Sequence, residues 1–363
     1  MNDALVPFAL ERWLRAHQAE ARFPIGGSGA PSGDLRPFLP HDNEEWARAW
    51  ATHPDRATAD AKAAVAEAYG LDARELLLTQ GASEADFLAA LALVGPGGHL
   101  VVEQPAYHAL LEPARALGCR VTRVKRLPEE GFTLDPARVA KALRPDTRLI
   151  VLARPQNPTG HVVPEPALRD IADAAARVGA WVLVDEVFAD ATPGARPARL
   201  LHERILTVNS TTKCLGFGAL HIGWLAAPEE LQETLDRAKA VVTVNNPILD
   251  VVLAARVVRQ RAALVHMTQT TRARNAALVE ASLAKAGLAW NKPQHGTTCV
   301  VRLPEAWHDD VAFAQRLLER EGTLVAPGSF AELPGWVRLG LLSRTEALEG
   351  GLEALGRVAA LSP

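Results

Sequence analysis

The sequence predicts an α/β fold in which helices flank a mostly parallel sheet, followed by a smaller α+β domain. Short apolar segments alternate with longer amphipathic ones over the first two-thirds of the chain. This alternation is typical of a parallel sheet covered on both faces. The length of 363 residues suggests about two domains. After Pro247 a long helical stretch and a different mixture of strands and helices replace the alternation.

The larger domain is predicted from apolar runs of strand length and from segments with helical periodicity. The predicted strands are residues 75–80, 100–103, 148–153, 181–185 and 205–209. The predicted helices are residues 60–69, 85–94, 106–117 and 165–178. Because functional groups in such folds lie at the carboxyl ends of the strands, the active-site residues are expected at those ends.

The remaining elements follow the same signals. A long, bent helical stretch is predicted over 248–287. It is followed by predicted strands at 299–303, 323–325 and 336–341, with a helix at 311–321 between the first two strands. The last helix is expected to begin at a capping box, Ser343-x-x-Glu346. Residues 24–40, rich in glycine and proline, are expected to form a mobile loop. The predicted division is an N-terminal arm (1–45) that covers the active site, a large domain (46–247) and a small domain with its linking helix (248–363).

Composition excludes several classes of protein. A hydrophobic fraction of 48%, a charged fraction of 22% and a net charge of −3 indicate a globular chain with no design for nucleic acid or anionic membranes. The longest apolar run, residues 87–94, is too short to span a bilayer, and no secretory signal is visible at the N-terminus. The cysteines Cys119, Cys214 and Cys299 suggest neither disulfides nor a zinc site. We expect a cytoplasmic protein without a metal.

Two polar segments at predicted strand ends have both a functional and a structural interpretation. Between a strand and a helix lies Gly81-Ala82-Ser83, where glycine allows close approach and the helix N-terminus favours an anion. Ser83 is equally suited to be an ordinary helix cap. Asp185 ends the strand WVLVD and is suited to hold a cation or a protonated ring nitrogen, or else to cap the next turn.

Two further segments also follow strands. Lys213 lies among small and apolar residues in a chain with only seven lysines. Such surroundings lower the pKa of a lysine and make it a candidate nucleophile for a Schiff base, the alternative being a surface lysine in a loop. The segment Asn157-Pro-Thr-Gly is by itself an unremarkable turn.

The order and spacing of these segments carry more information than any one of them. Five segments follow one another along the chain. They are GAS, an aromatic after a proline (Pro105-Ala-Tyr107), NPTG, Asp185-Glu186, and SxxK before a glycine-rich run. From about residue 20 to the C-terminus, the chain resembles the class I/II aminotransferases. These are fold type I enzymes that depend on pyridoxal 5′-phosphate, usually homodimers with shared active sites.

The resemblance implies a role for each matching residue. Lys213 would form the Schiff base and shuttle a proton, Asp185 would pair with the ring nitrogen, and Tyr107 would stack on the ring. Asn157 would bind the ring 3′-oxygen. Phosphate binding would fall to Gly81, Ala82, Ser83 and Ser210, and Arg338 would bind the substrate α-carboxylate, which suits its planar fork. Proposed liners of the substrate pocket are Ile25, Gly26, Trp50 and Asn246.

Three positions depart from the family pattern. Phe188 replaces a tyrosine that usually bonds the 3′-oxygen, and His221 replaces an arginine that binds the phosphate. Residues 52–53 align with a phosphate-binding tyrosine of the partner subunit, yet the chain has only two tyrosines, Tyr69 and Tyr107. The cofactor site is therefore expected to have fewer contacts than is usual.

The leading hypothesis is transamination between an amino acid and a 2-oxo acid. The alternative keeps the cofactor but catalyses a lyase, decarboxylase or cyclisation reaction, because the segments Trp13-Leu14 and 25–29 are similar to those of capreomycidine-synthase-type members. A degenerate, ligand-binding member is a third hypothesis. A nicotinamide-binding domain is disfavoured because no GxGxxG motif follows the first strand.

Overall fold

The computed structural model describes residues 8–361, and its central feature is a seven-stranded sheet of order β2-β8-β7-β6-β5-β3-β4. The strands are β1 (Phe23–Pro24), β2 (Leu76–Gln80), β3 (His99–Gln104), β4 (Arg120–Lys125), β5 (Thr147–Ala153), β6 (Trp181–Asp185), β7 (Ile205–Ser210), β8 (Ile222–Ala226), β9 (Trp290–Asn291), β10 (Thr298–Arg302), β11 (Thr323–Leu324), β12 (Ala326–Pro327) and β13 (Trp336–Gly340). All pairs from β4 to β7 are parallel, whereas β8 runs antiparallel to β2 and to β7. The mostly parallel sheet is thereby confirmed.

Helices cover both faces of this sheet because its strands are apolar on both sides. The helices are α1 (Ala9–His17), α2 (Asn43–Ala51), α3 (Pro54–Tyr69), α4 (Gly81–Leu93), α5 (His108–Ala116), α6 (Pro136–Ala142), α7 (Glu165–Arg177), α8 (Glu229–Val242), α9 (Ile248–Arg259), α10 (Arg261–Ala286), α11 (Asp310–Glu321) and α12 (Thr345–Ala359). Separate apolar clusters pack against the sheet, one including α4 and α5, one α3 and α9, and one α7. Within residues 8–361, no helix is long and apolar enough to cross a membrane.

The C-terminal part has its own antiparallel sheet, β12-β13-β10-β9, and a short parallel pair, β1 with β11. Its apolar core includes Ile25, Phe313, Val337 and Leu352, contributed by four different segments of the chain. The predicted α+β character is confirmed, whereas the exact domain boundaries remain a prediction.

Some details differ from the sequence prediction. The stretch 248–287 breaks into α9 and α10 at Gln260, where the expected bend falls. The predicted capping box is wrong: α12 begins after Arg344, and no side chain caps it. Asn275 of α10 lies there, donating to the Ser343 carbonyl (2.8 Å) and accepting from the Thr345 hydroxyl (3.1 Å).

The segment expected to be a mobile loop, residues 24–40, makes regular contacts. Its backbone N–H groups at Ala30 and Gly33 donate to the carbonyls of Lys213 (2.7 Å) and Gly216 (2.9 Å). The segment therefore lies directly over the glycine-rich stretch that follows β7. Residues 1–7, on which the expectation of no secretory signal bears, lie outside the described residues, as do residues 362–363.

Candidate active site

A cavity of about 310 Å³ opens at the carboxyl ends of the central strands. It brings together all the predicted cofactor-contacting residues, namely Gly81, Ala82, Ser83, Tyr107, Asn157, Asp185, Phe188, Ser210, Lys213 and His221. These residues come from six separate segments of the chain, each next to the end or start of a strand or helix. A volume at the lower end of the range usual for small-molecule pockets suits a compact cofactor and a small substrate.

One wall of the cavity is the N-terminus of α4. Gly81 opens this helix at a φ of +70°, a conformation that favours glycine. A Cβ at Gly81 would lie 3.1 Å from the His221 Nδ1 atom, so the two residues are in close contact. Gly81, Ala82 and Ser83, in the first turn of the helix, line the cavity. This arrangement suits an anion such as a phosphate, with His221 next to it.

Asp185 lies at the centre of the sheet edge. It is the last residue of β6, in register with Ala153 of β5 on one side and Val208 of β7 on the other. Burial raises the pKa of its carboxyl to about 6, although the Val187 N–H donor (2.9 Å) and the charge of Lys213 act to lower it. A buried carboxylate of this kind is suited to pair with a cationic ring nitrogen.

Lys213 enters the same cavity from the segment after β7. Burial lowers the pKa of its ammonium group, and the positive charge of Arg338 acts in the same direction. The negative charges of Glu11 and Asp185 oppose this. A lowered pKa leaves a larger fraction of the amine neutral, which is the form that attacks a carbonyl carbon.

Arg338, on β13, contacts the cavity through Asn157. Its Nη1 donates to the Asn157 Oδ1 (3.2 Å) and its Nη2 to the Gly26 carbonyl (2.7 Å). The Arg338 Nε is buried and has no acceptor among residues 8–361. Burial lowers the pKa of the guanidinium to about 10, so it stays charged at neutral pH. An unpartnered, buried guanidinium donor is the expected receptor for a carboxylate.

The proposed liners of the substrate pocket are more scattered. The Ile25 side chain is fully buried in the core of the C-terminal part, and Gly26 contributes the carbonyl that holds Arg338. Trp50 lies on α2 and is 70% exposed, and the Asn246 Oδ1 accepts from the Lys239 amine (3.0 Å). Among the described residues, none of these four side chains lines the cavity, and their role in substrate binding stays a prediction.

The three departures are visible in the structure. Phe188 lines the cavity with a buried ring and has no hydroxyl to offer. His221 has a φ of +52°, which directs it to the α4 N-terminus. Residues 52–53 lie between α2 and α3.

Sequence reasoning missed two acids in the cavity. Asp86, on α4, is 3% exposed, and its Oδ1 has no hydrogen-bond partner among residues 8–361. Burial raises the pKa of Asp86 well above its ordinary value, and the nearby Asp185 adds to this. Its signal was an acid one turn after Ser83, between the apolar residues Ala85 and Phe87.

The second missed acid is Glu11 on α1, whose Oε1 accepts from the Tyr107 hydroxyl at 2.8 Å. Phe8, which precedes this helix, and Arg15, on it, also line the cavity. No short-range pattern connects these residues with Tyr107. Within the described part of the chain, no group of three or more His, Cys, Asp or Glu side chains forms a metal site.

A buried lysine amine, a carboxylate at a sheet edge and an anion-binding helix N-terminus define a Schiff-base enzyme on an α/β scaffold. The family model for aminotransferase class I and II matches residues 39–355, and the chain belongs to this family. It is therefore a transaminase of the class that depends on pyridoxal phosphate.

Individual relatives agree with the family. The chain is 31% identical to capreomycidine synthase of Streptomyces vinaceus, over 97% of this chain and 94% of that protein. It is 30% identical to aspartate/prephenate aminotransferase of Thermus thermophilus, over 78% and 75% respectively. A pyridoxal-phosphate-dependent aminotransferase from Streptococcus suis superposes with a TM-score of 0.87 at 25% identity, over 99% of this chain and 98% of that one.

The residues present fit pyridoxal phosphate. Its phosphate matches the α4 N-terminus, its ring nitrogen matches the Asp185 carboxylate, and its aldehyde matches the amine of Lys213. Phe188 offers no hydroxyl to the 3′-oxygen, and a smaller set of contacts to that oxygen and to the phosphate stays a prediction.

Proposed function

We propose that this protein moves an amino group from an amino acid to a 2-oxo acid, with Lys213 as the residue that holds the cofactor and carries the proton. The observation that supports this most directly is the buried Lys213 amine, which shares one cavity with Asp185 and the α4 N-terminus. We further propose a cytoplasmic homodimer, as is usual in the family.

Each residue contributes a separate physical effect. Pyridoxal phosphate, when bound, supplies an aldehyde and a ring that accepts electrons from a bond at the substrate Cα. Asp185 holds a proton on the ring nitrogen through its negative charge. The Tyr107 ring lies over the cavity, and Ser83 and Ser210 add hydroxyl donors near the phosphate site.

Arg338 and Lys213 act on the substrate. Arg338 would bind the α-carboxylate and thereby set how the bonds at Cα are oriented toward the cofactor. Lys213, once its amine is free, takes the proton from Cα and returns it at the neighbouring carbon. Burial lowers the pKa of Lys213, which favours the neutral amine that accepts this proton.

A second candidate is a reaction of the same cofactor without net amino transfer, since the capreomycidine synthase similarity covers nearly the whole of both chains. To separate the two, the purified holoenzyme is mixed with each amino acid singly while the cofactor absorption and the released products are followed. Conversion to the amine form of the cofactor with release of a 2-oxo acid supports transamination. Release of ammonia or carbon dioxide, with the aldehyde form retained, would favour the second candidate.

A further inference from the structure

Helix α1 carries a carboxylate into the active-site cavity and holds it there. The Trp13 indole Nε1 donates to the Val325 carbonyl at 2.8 Å, and Leu10 is buried, so this helix is anchored on the C-terminal part of the protein. From this position the Glu11 Oε1 accepts from the Tyr107 hydroxyl at 2.8 Å. Its second oxygen, Oε2, has no hydrogen-bond donor among residues 8–361.

The charge of Glu11 acts on two cations of the site. Burial lowers the pKa of both Lys213 and Arg338, and the negative charge of Glu11 opposes that lowering at each. Glu11 and Lys213 line the same cavity. Of the two basic groups, Arg338 is the one that stays charged at neutral pH, so it compensates the charge of Glu11 before substrate binds.

Substrate binding removes this compensation. The α-carboxylate of the substrate neutralises Arg338, and Lys213 is an uncharged amine when it accepts a proton from Cα. Asp185 is paired with the ring nitrogen. Glu11 is then left as a half-buried anion whose described hydrogen bond comes only from the neutral Tyr107 phenol, and an uncompensated charge in such a place is costly.

The group that remains to balance this charge is the side chain of the substrate. We propose that Glu11 is the receptor for a cationic side chain, so that the amino donor is a basic amino acid with an ammonium or guanidinium group. This rests on the proposed function. Arg15, also on α1, is exposed at the mouth of the cavity, where water solvates its charge, so it does not replace the missing compensation.

The test compares donors that differ in charge but hardly in shape. Dissociation constants for L-arginine and its neutral isostere L-citrulline are measured by titrating the absorption of the holoenzyme cofactor, and kcat/KM is measured for each. A charged hydrogen bond to Glu11 predicts a preference of about 10- to 100-fold for arginine. Because the titration does not require turnover, it tests this subsite even if transamination fails.

The variant Glu11→Gln keeps an oxygen acceptor for Tyr107 but removes the charge. It is expected to reduce the preference for arginine to within about threefold while citrulline binding changes little. Glu20→Gln, which removes an exposed acid just beyond α1, is the matched control and should retain the preference. Equal affinity for both donors in the wild type, a loss of affinity for both donors alike in Glu11→Gln, or a preference for L-aspartate would each overturn the inference.

Discussion

The two ends of the cavity are built differently. The cofactor end consists of residues at successive strand ends of one sheet, such as Gly81, Asp185 and Lys213. The substrate end is assembled from distant segments: Arg338 comes from the small sheet, and Glu11 lies 96 residues from its partner Tyr107. The cofactor end is therefore fixed by the sheet itself, whereas the substrate end depends on how separate parts of the chain pack together.

The largest expected effect lies at the cofactor end. Lys213→Ala removes both the attachment of the cofactor and the proton carrier, so kcat should fall by about 10⁴-fold or more. Steady-state kinetics with the best donor measure this. Lys292→Ala, which removes an exposed lysine paired with Glu280, is the control and should retain full activity. A Lys213→Ala protein with near-normal kcat would break the assignment of this end of the cavity.

The substrate end is tested by Arg338→Lys. Lysine keeps the charge but cannot reproduce the fork that contacts Asn157 and Gly26, so kcat/KM should fall by about 100-fold, mainly through KM. Cofactor absorption should change little, because Arg338 does not hold the cofactor. A variant that loses its cofactor but keeps its KM would show that the two ends are not separable in this way.

The buried Asp86 carboxyl, at the cofactor end, is expected to lower the free energy of unfolding. Its folded-state pKa is raised, so its contribution to stability is fully present at low pH and is lost as pH rises from about 4 through the folded pKa. Cofactor-free wild type should therefore lose about 1–3 kcal/mol more unfolding free energy between pH 5 and pH 8 than Asp86→Asn. Urea unfolding at both pH values measures this difference. The raised pKa of Asp185 also makes stability fall as pH rises, but it does so in both proteins and cancels in the comparison. Curves of unfolding free energy against pH that run parallel in the two proteins would contradict the prediction.

His221 is expected to hold the cofactor phosphate less firmly than an arginine would. His221→Arg places a permanent charge beside the α4 N-terminus, and we expect the cofactor to dissociate about tenfold more slowly on dialysis. The measurement is the residual cofactor absorption with time. Equal rates of loss in the two proteins would show that His221 already binds the phosphate as strongly as arginine does.

Phe188 is expected to have the smallest effect. Phe188→Tyr supplies a hydroxyl donor to the 3′-oxygen, which stabilises its deprotonated form. The pH at which the visible absorption of the bound cofactor changes should therefore be about one unit lower in Phe188→Tyr than in wild type. Superimposable spectral titrations of the two proteins would contradict this.

The difference between local sheet geometry and long-range packing also explains which elements could be predicted from the sequence. The strand over 181–185 was predicted to the residue, because a short, wholly apolar run ending in an acid is a local signal. Edge strand β4 was missed because its alternating charged residues hide its apolar face. Antiparallel β8 was missed because it directly follows the glycine-rich segment, and its partners are set by long-range packing.

In the candidate site, too, residues with a local signal were predicted and residues placed by long-range packing were not. Lys213 and Asp185 were found because strand position and family order agree at those residues. Glu11 was not found because its position depends on contacts such as that between Trp13 and Val325, which are 312 residues apart. Ile25 was expected in the pocket, yet the structure buries it in the apolar core, which the sequence alone does not distinguish.

The central claim is that Lys213 binds the cofactor covalently, and it is tested most directly by locating that bond. The holoenzyme is reduced with borohydride, digested and analysed by mass spectrometry, with Lys213→Ala as the control. We expect one cofactor per chain, attached to Lys213 and to none of the other six lysines. Attachment to another lysine, or a labelled Lys213→Ala protein, would contradict it.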